Sequence, residues 1–121
     1  MKCKNESPFW AKKSPEKWEQ LKFNTEFLKK VLREEQELVC EYCGKKDLVI
    51  YEWCQKINFS NVATIDHFYP KSKYENLKRN EDNLVVSCHS CNTKKKDILW
   101  DFSRLKFPIK ENKIDLLKNI L

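Results

Sequence analysis

The sequence predicts a small α+β domain held by a metal staple, and three observations carry that prediction. Two Cys-x-x-Cys pairs, Cys40/Cys43 and Cys88/Cys91, stand at metal-ligand spacing. The middle of the chain is rich in β-branched and aromatic residues, and both ends carry apolar residues at helical spacing. At 121 residues there is length for one core and little more, so residues 1–121 are expected to form a single domain. Its parts are an arm and helix over 1–36, a metal-bound centre over 37–100 and a helical closing segment over 101–121.

Each element has its own signal. Residues 1–13 are basic and interrupted by Pro8, which reads as an arm, with Phe9 and Trp10 able to dock on the body. Ser14 followed by Pro15 resembles an N-cap with proline at the first helical position. Trp18, Leu21, Leu28, Val31 and Leu32 then recur at roughly helical spacing, predicting one helix over 15–36 or two meeting near Asn24. "CEYC" at 40–43 forms a metal-knuckle turn, with the only glycine of the chain, Gly44, placed where positive φ is easiest. "LVIYEW", "VATIDHF" and "NLVVSC" read as three strands. From Asn92, "NTKKKDILWDF" turns helical, and Ile114, Leu117, Ile120 and Leu121 mark a short closing helix.

Composition narrows the function classes. Hydrophobic residues make up 40% of the chain and charged residues 35%, which argues against global disorder. Lys and Arg number 24 against 18 Asp and Glu, a net charge of +6, which suits either a polyanionic partner such as nucleic acid or simply a solubilising lysine surface. The apolar runs are short and "MKCKNESPFW" lacks the apolar centre of a signal peptide, so neither membrane insertion nor secretion is expected, and the compartment is cytoplasmic. Thiols stay reduced there, so paired cysteines read first as metal ligands rather than disulfides.

Four thiolates in two knuckles give zinc the soft tetrahedral shell it favours, ahead of redox, iron or metal-free alternatives. Binding of about 10–16 kcal/mol in small zinc peptides exceeds the stability of most small domains, so folding is expected to depend on the metal. Cys3 and Cys54 have no partner at knuckle spacing and receive no role. His89 sits inside the second knuckle, but the shell is already complete, so it is expected to face solvent or nucleic acid.

A closed four-thiolate site has no open position for substrate, so chemistry needs other residues. Asp66 and His67 are adjacent, and side chains of adjacent strand residues diverge unless the strand ends there. Pro70 and the polar loop after it place the pair at such an end. Asp66 offers a hard oxygen suited to Mg²⁺, and His67 can take a proton from water near neutral pH. Asn92, directly after Cys91, offers a neutral second oxygen that leaves an ion open to phosphate and water.

These residues, taken in order, resemble the HNH endonuclease family in its zinc-binding ββα-metal form. "CEYC" corresponds to the first zinc pair, "DHFYPKSK" to the Asp-His strand and its Pro-x-Ser-Lys turn, "DNL" to the middle asparagine and "CHSCNTKKKD" to the closing segment, together spanning 40–97. The resemblance implies a β-hairpin and helix at the centre. It implies His67 as general base, Asp66 and Asn92 as holders of Mg²⁺ or Mn²⁺, and Asn83 as a brace for the loop that orients the histidine. Lys95, with Lys94 and Lys96, is expected to contact phosphate, as are Lys71 and Lys73 in the turn. The chain departs from the family in Tyr74, where many members have glycine, and in the long insert "LVIYEWCQKINFSNVAT", both of which bear on substrate fit.

The function so implied is metal-dependent hydrolysis of DNA, with RNA as a further substrate class, giving a nick from one site and a double-strand break only from a homodimer or sequential cuts. Two rivals stand beside it. One is a non-catalytic zinc-ribbon module that binds nucleic acid, and the other is a nuclease subunit active only with a protein partner such as an ATPase.

Overall fold

The computed structural model describes residues 8–51 and 59–121. Cys3 and Cys54, with Lys2 and Lys4 of the arm, lie outside them. Among the described residues there are three α-helices, α1 (Pro15–Glu35), α2 (His89–Lys95) and α3 (Lys113–Asn119), and one antiparallel pair of strands, β1 (Ala63–His67) and β2 (Leu84–Cys88). None of these helices is long and apolar enough to cross a membrane.

Helix α1 is continuous. Ser14 occupies the N-cap and Pro15 the first turn, and the helix ends at Gln36, whose left-handed backbone (φ 64°) returns its N–H to the Leu32 carbonyl at 2.8 Å. There is no break at Asn24, where Gln20 Nε2 donates to Asn24 Oδ1 one turn away at 2.9 Å. Phe27, Leu28 and Val31 form its buried face. Leu32, expected on that face, is instead 40% exposed, because it lies one position beyond the stripe that Val31 closes. A 3-10 turn over Phe9–Lys12 docks on the helix through an edge-to-face contact of Trp10 with Trp18, centroids 5.8 Å apart.

The hairpin is the centre of the core. Its register pairs Ala63 with Cys88 at one end and His67 with Leu84 at the other, and every residue of β2 is buried. Helix α2 follows β2 at once and packs on both strands. The third strand expected from "LVIYEW" does not form in its described part, 48–51. Leu48 donates its N–H back to the Leu38 carbonyl, and Val49 makes only an isolated parallel bridge to Val62. Strand propensity without a continuous partner edge leaves an extended connector with Val49 half exposed.

The helix expected from Asn92 onward is also displaced. Helix α2 starts earlier, at His89 inside the second knuckle, and stops at Lys95, with Lys96 at φ 50° turning the chain out. Residues 98–101 are therefore not helical, and a 3-10 turn follows over Phe102–Arg104. The 101–121 segment lies across the hairpin: Phe102 stacks on Phe68 at 5.3 Å, and Leu105 and Leu117 enter the core.

Buried Glu41, inside the first knuckle, ties this closing segment down. Its Oε2 accepts from Val86 N at 2.8 Å and its Oε1 from Ile109 N at 2.9 Å, while its carbonyl accepts from Lys106 and Phe107. Burial pushes its carboxyl pKa up, and the nearby Lys113 ammonium and these N–H donors oppose that shift. A sequence reading takes a glutamate between two cysteines for a solvated residue; its role emerges only when 106–109 arrives beside it.

Candidate metal and hydrolytic site

The four cysteines of the two pairs meet. Sγ atoms of Cys40, Cys43, Cys88 and Cys91 all lie within 4.8 Å of one another, and Cys43 Sγ is 3.7 Å from Cys88 Sγ. Four sulfurs about 2.3 Å from a tetrahedral zinc would stand about 3.8 Å apart, so the cluster is compatible with a zinc site. The first knuckle turns through Gly44, at φ 82°, whose N–H reaches the Cys40 carbonyl at 2.8 Å, and Cys43 N points at Cys40 Sγ at 3.5 Å. The second is built from the last residue of β2 and the first turn of α2. His89, within it, is exposed, as expected of a residue not needed for the shell.

Asp66 and His67 close β1, but the strand end does not bring both side chains to one place as expected: they take different partners, as adjacent strand positions dictate. Asp66 is 4% exposed and faces α2 and the first knuckle. Its Oδ2 receives the Tyr42 hydroxyl and stands 3.1 Å from Lys95 Nζ. Burial raises the Asp66 pKa, against the opposing pull of Lys95 and the Tyr42 hydroxyl. His67, 8% exposed, turns the other way, with Nε2 2.7 Å from the Lys78 carbonyl. A carbonyl only accepts, so Nε2 carries the proton and Nδ1 keeps the free lone pair of the neutral ring. Burial lowers the His67 pKa; the Lys78 carbonyl favours the charged ring, and the charges of Lys71 and Lys95 oppose it.

Asn83 is fully buried, just before β2. Its Oδ1 accepts from Tyr69 N at 2.8 Å, and its Nδ2 donates to the carbonyls of Tyr69 at 3.1 Å and Leu77 at 3.4 Å. Its main-chain carbonyl also accepts from Phe68 N at 2.9 Å. The side chain thus pairs with the backbone just past the end of β1 and holds the 69–77 loop that leads to the Lys78 carbonyl.

Lys95 requires a correction. Expected at the nucleic-acid surface, it is fully buried at the end of α2 and donates to the His67 carbonyl at 3.0 Å besides pairing with Asp66. The carboxylate, the carbonyl and the Phe68 ring, 5.9 Å from Nζ, give the ammonium an interior polar shell that the surface run "TKKK" conceals. Lys71, Lys73, Lys94 and Lys96 are exposed. Asn92 is half-buried and precedes Lys95 by one helical turn, so it shares the face of α2 whose lysine reaches Asp66.

Tyr42 escaped sequence reasoning altogether. A tyrosine between knuckle cysteines carries no signal of its own, yet it is buried, packs edge-on against Trp100 at 4.9 Å and delivers its hydroxyl to Asp66.

The family model for HNH endonucleases matches residues 40–97, the segment that holds both knuckles, Asp66, His67, Asn83 and Asn92. No curated protein and no solved structure matches the chain.

Proposed function

We propose, from the match of residues 40–97 to the HNH endonuclease family model, that the chain is a divalent-metal-dependent endonuclease that hydrolyses DNA phosphodiester bonds and nicks one strand per encounter. One observation supports the reading above the rest. Consecutive residues at a strand end supply a buried carboxylate, turned to the α2 face that also carries Asn92, and a buried neutral histidine held by the Lys78 carbonyl.

His67 is the general base. Its Nδ1 removes the proton of the attacking water, while the Lys78 carbonyl holds the ring in the tautomer that leaves Nδ1 free. Its lowered pKa keeps the ring unprotonated, and therefore able to act as a base, at neutral pH. Asp66 and Asn92 together offer the hard oxygen donors that fit Mg²⁺ or Mn²⁺, which when bound would neutralise charge on the scissile phosphate and the departing 3′ oxygen. Asn83 holds the loop beyond β1 and so the Lys78 carbonyl. Lys71, Lys73, Lys94 and Lys96 address backbone phosphates. The water so activated attacks phosphorus as the P–O3′ bond breaks, and the departing 3′ oxygen takes a proton from solvent, which leaves a 5′ phosphate and a 3′ hydroxyl.

The test is supercoiled plasmid incubated with zinc-loaded wild type or His67→Ala in Mg²⁺ or Mn²⁺, with a chelator control. Metal-dependent open-circle product that disappears in the variant is the expected result. Folded protein that binds DNA and never cuts it would refute the hydrolytic reading and leave a binding module or a subunit that needs a partner.

A further inference from the structure

Tyr42 has no part in zinc ligation by type and no part in proton transfer by position, yet its hydroxyl is spent on Asp66. Building on the proposed hydrolytic reading, we infer that Tyr42 is a positioning residue for the divalent-metal ligand Asp66, and that the first zinc knuckle serves the hydrolytic centre by presenting it.

The geometry runs from the knuckle outward. Cys40 and Cys43 bracket Tyr42, and the turn is closed by Gly44 N–H on the Cys40 carbonyl and by Cys40 N–H on the Lys45 carbonyl at 2.9 Å. Zinc on the two thiolates would therefore fix the backbone on both sides of the tyrosine. The ring is 5% exposed and is held against Trp100, which in turn lies under the Arg104 guanidinium at 5.1 Å. A phenol so confined can aim its hydroxyl in few directions, and the direction it takes is Asp66 Oδ2.

Lys95 Nζ approaches that same oxygen. Tyr42 and Lys95 both meet Oδ2, and the main-chain N–H of His67 adds a further hydrogen bond to the carboxyl group. Two donors on one oxygen also fix the carboxylate plane, because rotation about the Cβ–Cγ bond would break both contacts together. An outer partner that orients a ligating carboxylate in this way typically accounts for about 10–100-fold in metal affinity or activity. Lys95 alone would hold the charge, but its flexible stem sets no plane; the rigid phenol supplies the direction.

The experiment compares zinc-loaded wild type with Tyr42→Phe, which keeps the ring against Trp100 and removes only the hydroxyl. Zinc content and melting temperature report the fold, Mn²⁺ binding without DNA is followed by the spin resonance of free Mn²⁺, and nicking is measured across Mg²⁺ concentration. The expected result is unchanged zinc content, Mn²⁺ binding weaker by about tenfold or more, and nicking that recovers toward wild type at saturating metal. Mn²⁺ affinity equal to wild type would overturn the inference while the nuclease reading stands; a wild type that neither binds Mn²⁺ nor cuts would overturn both.

Should Tyr42→Phe lose zinc, the hydroxyl is read in the otherwise native chain. Its four tyrosines are replaced by 3-fluorotyrosine and the Tyr42 signal is identified by Tyr51→Phe, Tyr69→Phe and Tyr74→Phe. A fluorine resonance of Tyr42 that shifts as Mg²⁺ saturates supports the contact, and one that stays fixed refutes it.

Discussion

Replacing Asn83 with alanine tests how the loop beyond β1 is held. The side chain makes three hydrogen bonds inside a fully buried site: Tyr69 N–H to Oδ1, and Nδ2 to the carbonyls of Tyr69 and Leu77. The Leu77 carbonyl keeps a second partner in Asn80 N–H at 3.2 Å, so its loss is partial. Two groups of Tyr69 lose these partners, and a buried polar group left unpaired costs about 1–3 kcal/mol. Water entering the vacated space recovers part of this, so the expected loss is about 3 kcal/mol, a large share of the roughly 5–15 kcal/mol available to a small domain. Urea unfolding at fixed zinc excess, followed by far-ultraviolet circular dichroism and tryptophan fluorescence together, measures it. Asn83→Asp is the sharper control: it keeps the volume and the Tyr69 N–H acceptor but turns a carboxylate oxygen toward two carbonyls. It should be at least as damaging as alanine at neutral pH. It should regain stability as pH falls, because the fold favours its protonated, donating form and so raises its pKa. An alanine loss below about 1 kcal/mol, or an aspartate tolerated better than alanine at neutral pH, would refute the assignment of the amide as the brace.

Further predictions concern charge and metal. The nicking kcat/KM should fall with acid through a pKa below the ordinary 6.5 of histidine, since burial and the charges of Lys71 and Lys95 lower it and the neutral ring is the base. Lys71→Ala should move that midpoint upward, and a midpoint above 6.5 in the wild type would refute the assignment. The same depressed pKa contributes stability that is full above 6.5 and is lost as pH falls from there toward the folded-state value, measurable as the pH dependence of the urea midpoint. Stripping zinc with a strong chelator should abolish the folded far-ultraviolet spectrum and re-addition should restore it, because the expected zinc binding energy of about 10–16 kcal/mol exceeds what this core supplies alone. Lys94→Ala and Lys96→Ala should each reduce the salt dependence of DNA binding by about 0.9 in log–log slope. Lys95→Met should leave that slope unchanged and instead cost about 3–5 kcal/mol of stability, because it strands the Asp66 carboxylate.

What the sequence discloses here is what depends on local spacing. The knuckles are legible because each pair of ligands sits within one turn, and the end of β1 is legible because Pro70 and the polar loop after it stop a strand. The family resemblance points to Asn83 as a brace for the loop after the Asp-His strand, and its side chain bonds the backbone of Tyr69 and Leu77. The rest depends on encounters between distant segments. Lys95 belongs by composition to a solvated run, and only its placement one turn after Asn92, on the face of α2 turned to β1, marks it as different from Lys94 and Lys96. Glu41 and Tyr42 look like filler between cysteines until residues 106–109 and Asp66 arrive beside them. Residues 48–51 have strand composition but only a single bridging residue opposite them, and a strand needs an edge as much as it needs propensity.

The lengths of the central elements explain how the thiolate cluster and Asp66 come to share one structural unit. Cys88 pairs with Ala63 at one end of the hairpin, and Asp66 and His67 stand at the other, about 10–14 Å away at 3.4 Å per residue. Helix α2 begins at the zinc end and covers about 10 Å in its seven residues, at 1.5 Å each, which is enough to carry Lys95 back to Asp66. A shorter helix would leave Asp66 without its cation, and one residue more or less between Cys91 and Lys95 would swing the lysine about 100° off the strand. The first knuckle returns to the same carboxylate by a separate route, through Tyr42. Asp66 is thus held from two sides by elements that each carry cysteines of the thiolate cluster; on the proposed hydrolytic reading, the cluster would act by orienting a carboxylate rather than by touching substrate.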